Sequence, residues 1–135
     1  MPKIVATTFC KTLENPTTLR LQINRRGQVF IRPYRHRMTR GVKAEVSILF
    51  FQHVNSWMHS HGTISIYRDG DIIFGEDDKP PVLQIKTVEI ERGKKTVQGF
   101  SLKFKSRKAP IHVSRDHFLS ELAWLEAKRM AYLKS

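Results

Sequence analysis

Residues 18–34 read TLRLQIN, RRG, QVFIRPY: two runs of alternating apolar and polar residues on either side of a turn that ends in glycine. Taking Arg25-Arg26-Gly27 as a three-residue turn, with Gly27 in the left-handed region, makes Asn24 face Gln28 and fixes every later pair. Ile23 meets Val29, Leu21 meets Ile31 and Leu19 meets Pro33, giving an apolar face that has to pack on a core. On the other face Gln22 meets Phe30, Arg20 meets Arg32 and Thr18 meets Tyr34. Directly opposed arginines repel one another unless an anion or an acid lies between them, and no acidic residue occurs from Asn15 to Ala44.

Arginine beside an open phenylalanine or tyrosine can hold a phosphate while the ring stacks an unpaired base. Arg20, Phe30, Arg32 and Tyr34 are therefore candidate nucleic-acid-binding residues. Arg25 and Arg26 join them at the turn, and Arg35, Arg37, Arg40 and Lys43 in the segment that follows, which is expected to order only on its ligand. Arginine suits the role because its planar fork grips phosphate oxygens in pairs and stays charged. The competing arrangement places Phe30 and Tyr34 under a C-terminal helix, with Arg20 and Arg32 snorkelling outward past it.

The whole chain is basic: 24 Lys and Arg against 12 Asp and Glu give +12, with a pI near 10.3. Such an excess works against a compact state by self-repulsion, so a polyanionic partner is its economical explanation. A second acid-free window, from Arg92 to Arg115, carries Lys94, Lys95, Lys103, Lys105, Arg107 and Lys108, which complete the candidate set as a second basic region. The acids gather instead at Asp69, Asp71, Glu76, Asp77, Asp78, Glu89 and Glu91, so a dipolar surface is expected rather than an even sprinkling.

Along the rest of the 135 residues the pattern is strands followed by a helix, with no repeat or linker to mark a boundary, and one domain over 1–135 is expected. Lys3 to Phe9 alternates as a first strand. Val42 to Met58 alternates like a strand through about Phe51, the preferred assignment, but also steps like a helix that would end at Gly62. In TISIYRDGDIIF the Asp69-Gly70 pair signals a two-residue turn that would set Arg68 opposite Asp71 as an ion pair. The apolar phase of VLQIKTVEIE slips, suggesting a bulge near Thr87. In TVQGFSLKFK, Phe100, Leu102 and Phe104 face the core while Ser101, Lys103 and Lys105 face out. Ser114 is placed to cap a helix that buries Phe118, Leu122, Leu125 and Met130, with Trp57 and Trp124 also assigned to the core. The expected fold is α+β: an antiparallel sheet of about six or seven strands closed by a C-terminal α-helix.

Several function classes find little support. The lone Cys10 leaves disulfides, thiolate metal sites and Cys-x-x-Cys chemistry without a second thiol. No apolar run approaches bilayer length, and MPKIVATTFCK lacks the apolar centre of a secretory signal, so an intracellular protein is expected, in the cytoplasm or the nucleus, with no membrane partner. His59-Ser60-His61, with Tyr132 as nucleophile, resembles the His-hydrophobe-His element of the HUH single-strand nickases. That resemblance implies a metal-dependent endonuclease of viral or mobile-element type, but the middle residue there is apolar where this chain has Ser60. Asp71 with Gln84-Ile85-Lys86 is similar to a nuclease metal site, with glutamine, a poorer Mg²⁺ ligand, in place of an acid. The order of strands and then a Ser-capped helix loosely resembles the Whirly-type single-strand binders.

The sequence thus points to a non-enzymatic protein without a cofactor that binds nucleic acid chiefly by phosphate contacts, RNA or single-stranded DNA in preference to duplex DNA. A structural nucleoprotein, such as a small viral coat or ribosome-associated protein, is the alternative binding class, and a homo-oligomer joined through sheet edges or the last helix is compatible with either.

Overall fold

The computed structural model of the protein describes residues 3–14, 18–34, 44–47, 49–58, 62–75 and 79–134. Strands β1 (Ile4–Lys11), β2 (Thr18–Asn24), β3 (Val29–Tyr34) and β4 (Ala44–Val46) form one antiparallel sheet in that order. Helix α1 (Leu49–Met58) follows. A second antiparallel sheet then takes the order β6 (Ile72–Phe74), β5 (Thr63–Ile66), β7 (Leu83–Arg92), β8 (Lys95–Phe104) and β9 (Ile111–Ser114), and α2 (Arg115–Lys134) completes the chain. The α+β class holds. The single sheet of six or seven strands is replaced by two sheets of four and five, because the connection through α1 separates the first hairpin system from the second.

The turn between β2 and β3 has the chemistry its sequence demands. Gly27 sits at φ 80°, its N–H donates to the Asn24 carbonyl at 3.0 Å, and the Asn24 N–H donates to Gln28 O at 3.2 Å. The Asn24 side-chain oxygen also accepts from the N–H groups of Arg26 (2.9 Å) and Gln28 (3.1 Å), so one buried asparagine holds the whole turn. All six expected pairs from Ile23↔Val29 to Thr18↔Tyr34 follow.

The second glycine hairpin uses the same device. Tyr67 N donates to Asp71 O and Gly70 N to Tyr67 O, so the loop is Arg68-Asp69-Gly70, three residues rather than two. Arg68 therefore lies in the turn and forms no ion pair with Asp71. Among the described residues 44–47 and 49–58, Ala44–Val46 is strand and Leu49–Met58 is helix, which reverses the preferred strand through Phe51; residues 41–43, 48 and 59–61 lie outside the described residues. Val46 and Phe50, both buried, lie four apart, a spacing that satisfies strand and helix periods alike, so periodicity could not decide between them. No register shift interrupts β7 and β8 near Thr87. The apolar phase slips because the strand pair leaves the core there.

One contiguous core unites both sheets and α2: Leu19, Leu21, Ile23, Ile31, Ile64, Ile85, Phe100, Phe104, Phe118 and Leu125 are all fully buried within it. The Phe100 and Phe118 rings meet edge to face at 5.5 Å. Helix α2 starts directly after Ser114, carries Asp116 in its first turn and Lys134 in its last, the arrangement its dipole favours. Its buried stripe is Phe118, Leu122, Leu125 and Arg129, not Met130. At 100° per residue position 129 lies about 20° from Phe118 around the helix, and position 130 about 120° away. The stem of Arg129 is thereby drawn inward, and its guanidinium is neutralised by Glu126 through contacts of 2.9 and 2.6 Å that hold its pKa above the ordinary value against the opposing effect of burial. Trp124, expected in the core, is 42% exposed, with the Lys128 ammonium 5.3 Å from its ring centre.

Two contacts seat β1 against the end of the chain. The Thr8 hydroxyl donates to Glu121 on α2, and the Lys11 N–H donates to His117 Nε2 at 3.1 Å. Thr12 bridges Val113, Leu13 N donates to His112 O at 2.7 Å, and the Glu14 carboxylate accepts from His112 N and meets its Nδ1 at 2.6 Å. The two sheets are thus joined at the β1–β9 corner.

At Gly99 an added Cβ would stand 2.6 Å from both Ile90 Cδ1 and the Val113 carbonyl, which cannot yield without moving β9. Gly99→Ala is expected to lower the unfolding free energy by roughly 1–3 kcal/mol in urea titration. Burial, aided by Glu121, pushes the Cys10 thiol up from 9.0 to about 12. Between those values the unfolded chain loses its proton first, so this group's contribution to stability is full below 9.0 and falls as pH rises through that window. Alkylation at neutral pH should reach Cys10 only when the protein unfolds.

Candidate nucleic-acid interface

The pleat decides which side chains of the first sheet meet α2. Thr8, bonded to Glu121, is the Cα partner of Leu21, which pairs with Ile31 and so with Ala44; this ladder lies on the helix side. The next ladder, Phe9–Arg20–Arg32, lies on the opposite side. Phe30 is therefore not under α2: it shares the face of Arg20 and Arg32, turned away from the helix.

On that face the aromatic roles differ from expectation. Phe30 is only 4% exposed, which removes it as an open stacking surface, whereas Phe9, across from Arg20, is 50% exposed. Phe9 escaped the sequence reading because β1 and β2 are joined by the long polar run after Lys11, which specifies no register. The backbone of Tyr34 ends β3; its side chain lies outside the described residues, as do Arg35, Arg37, Arg40 and Lys43.

Arg20 and Arg32 are half-buried, and Arg32 Nε is buried and donates to no acceptor, so the stem of Arg32 lies against the sheet rather than standing free in water. Gln22 Nε2 donates to Thr7 Oγ1 at 3.0 Å in the neighbouring row, stiffening the same surface. That row ends at Glu45 on β4, the partner of Phe30 and a diagonal neighbour of Arg32. The strand pairing brings this acid, from outside the acid-free window, to the arginine face. Among the described residues Glu45 forms no ion pair, so this acid does not tie up its diagonal neighbour Arg32. Arg25 and Arg26 are exposed at the turn, at the end of the same two strands.

The second basic window does not form one cluster. Lys103 and Lys105 are exposed at one end of β8, with half-buried Arg107 and exposed Lys108 just beyond, and Lys86 of β7, absent from the candidate set, lies diagonally across from Lys103 on the same outer face. Lys94 and Lys95 sit at the far end of the hairpin, about 27 Å from Lys103 at 3.4 Å per residue.

The catalytic alternatives gain no assembly. Among the described residues no three His, Cys, Asp or Glu side chains converge as a metal-ligand set. His59, His61 and the acids Glu76, Asp77 and Asp78 lie outside the described residues, and Tyr132 is a 40% exposed residue of α2. Asp71 lines a cavity of about 270 Å³ with Tyr67, Arg68, Asp69, Ile73 and Lys79, a set that includes neither Gln84 nor Lys86. No helix of the described residues is long and apolar enough to cross a membrane. No protein-family model, no curated protein and no solved structure matches the chain.

Opposed cations on neighbouring strands cost roughly 0.2–1 kcal/mol in the free protein. Arg32→Gln should therefore raise the thermal midpoint at low ionic strength, with the gain shrinking as added salt screens the pair. A gain independent of salt would show that repulsion across β2 and β3 is not its source.

Proposed function

We propose that the protein binds nucleic acid without catalysis, holding phosphates on the outer face of its first sheet and stacking an unpaired base there, so that RNA or single-stranded DNA is its main ligand. The observation that carries this reading is the Phe9–Arg20–Arg32 ladder: two guanidinium groups at opposed positions, beside a half-exposed ring, on a face that α2 does not cover. A phosphate between the arginines would replace their repulsion with two charge-assisted contacts. Arg25 and Arg26 extend the surface along the strands, and Lys103, Lys105, Arg107 and Lys108 with Lys86 supply a second set of backbone contacts. Arg35, Arg37, Arg40 and Lys43, continuing from β3, belong to the first set. The net charge of +12 supports the same partner.

A structural nucleoprotein is the second reading, favoured by the exposed apolar groups of α2, Trp124, Met130 and Leu133, which a neighbouring copy would cover. Such a protein would assemble into large particles on nucleic acid, whereas a discrete binder would stay small by light scattering.

Binding to single strands and RNA across a salt series tests the main reading. Each single-strand phosphate contact contributes about 0.7 to the slope of log affinity against log salt, and Arg32→Ala should reduce the slope by about that amount on every sequence. Phe9→Ala should weaken unpaired strands by roughly 1–3 kcal/mol and leave duplex binding nearly unchanged. Absence of binding to any nucleic acid at moderate salt sinks the reading.

A further inference from the structure

The β7–β8 hairpin reaches beyond its own sheet. β5 pairs with β7 only as far as Lys86, and β9 pairs with β8 only from Gly99 onward, so among the described residues the stretch from Val88 to Gln98 is a two-stranded ribbon with no further strand beside it. None of its side chains is buried. Five residues of β7 and four of β8 give a free length of about 14 Å, closed by a turn in which Gly93 takes φ 63° and Lys94 follows.

The ribbon is two-faced. Val88, Ile90 and Arg92 alternate with Glu89 and Glu91, and the pairing sets Val97 opposite Ile90 and Lys95 opposite Arg92. One face is thus an apolar strip with a cationic end, and the other carries Glu89 and Glu91 opposite Gln98 and Thr96. An isoleucine and a valine left half-exposed on a projecting ribbon gain little from the protein's own core. The root is braced: Ile90 crosses over Gly99, and Arg115 Nη1 at the start of α2 donates to Gln98 Oε1 at 2.7 Å.

We propose that this ribbon is an arm that enters the major groove of B-form duplex DNA. The groove, about 12 Å wide and 8.5 Å deep, admits a two-stranded ribbon, whereas the deep, narrow major groove of A-form RNA does not. Charge fixes the orientation: Arg92, Lys94 and Lys95 reach the phosphates, the Val88–Ile90–Val97 strip meets thymine methyl groups, and Glu89 and Glu91 face away from the polyanion. The arm rests on the nucleic-acid reading but uses a different sheet from the Arg20–Arg32 face. If both surfaces act together, the preferred ligand is DNA in which an unpaired strand adjoins a duplex.

The test measures the full chain on duplex DNA and on single strands over a salt series. Arg92→Ala with Lys95→Ala, both at the exposed tip, should lower the duplex slope by about 1.8, two phosphate contacts, and leave the single-strand slope unchanged. Glu89→Gln with Glu91→Gln should not weaken duplex binding. Wild type should bind a thymine duplex more tightly than its uracil counterpart, and Val97→Ser should erase that difference. An unchanged duplex slope in the tip variant, or no preference for the methyl group, overturns the arm. If Arg32→Ala then still weakens single-strand binding, the proposed function survives that failure; a wild type that binds no nucleic acid sinks both.

Discussion

The hydrogen bonds of Asn24 at the β2–β3 turn are the constraint on which the rest depends. They set the number of residues in the turn, and that number sets the parity of two strands. A turn one residue shorter would exchange Leu19, Leu21 and Ile23 with Arg20 and Gln22, placing arginine against α2 and leucine in water. The apolar side then selects what covers it: α2 and the inner residues of the second sheet complete the same core. The outer side is what remains, and its charge is a by-product of a register chosen by burial.

What was legible in the sequence was what local chemistry determines. The glycine-ended turn, the alternation of Phe100, Leu102 and Phe104, and the start of the last helix after Ser114 each depend on residues within a few positions of one another. The misread turn at Arg68-Asp69-Gly70 is instructive, because it has the same form as Arg25-Arg26-Gly27, with glycine last of three, and the Asp-Gly pair masked that form. Arg129 was overlooked for a related reason. Hydrophobicity favoured Met130, while helix angle put position 129 on the buried stripe, and Glu126 three residues earlier made the burial of its charge affordable.

What was not legible is what depends on pairing between distant segments. Phe9 and Glu45 join the Arg20–Arg32 face only because β1 and β4 flank β2 and β3, and neither register is encoded by a short turn. The division of the second basic window likewise follows from strand length: a ten-residue strand carries Lys95 and Lys103 far apart although only eight positions separate them in the chain.

The seat of β1 against α2 also bears on how the molecule comes together. The Thr8–Glu121 contact closes a loop of 113 residues and Lys11–His117 one of 106, so the first hairpins, quick to form by themselves, wait on the far end of the chain for their cover. Until then Leu19, Leu21 and Ile23 present a sticky surface, and contacts of such long range slow folding. In that interval the net charge of +12 makes half-folded chains repel one another, which opposes contact between those surfaces before the helix arrives.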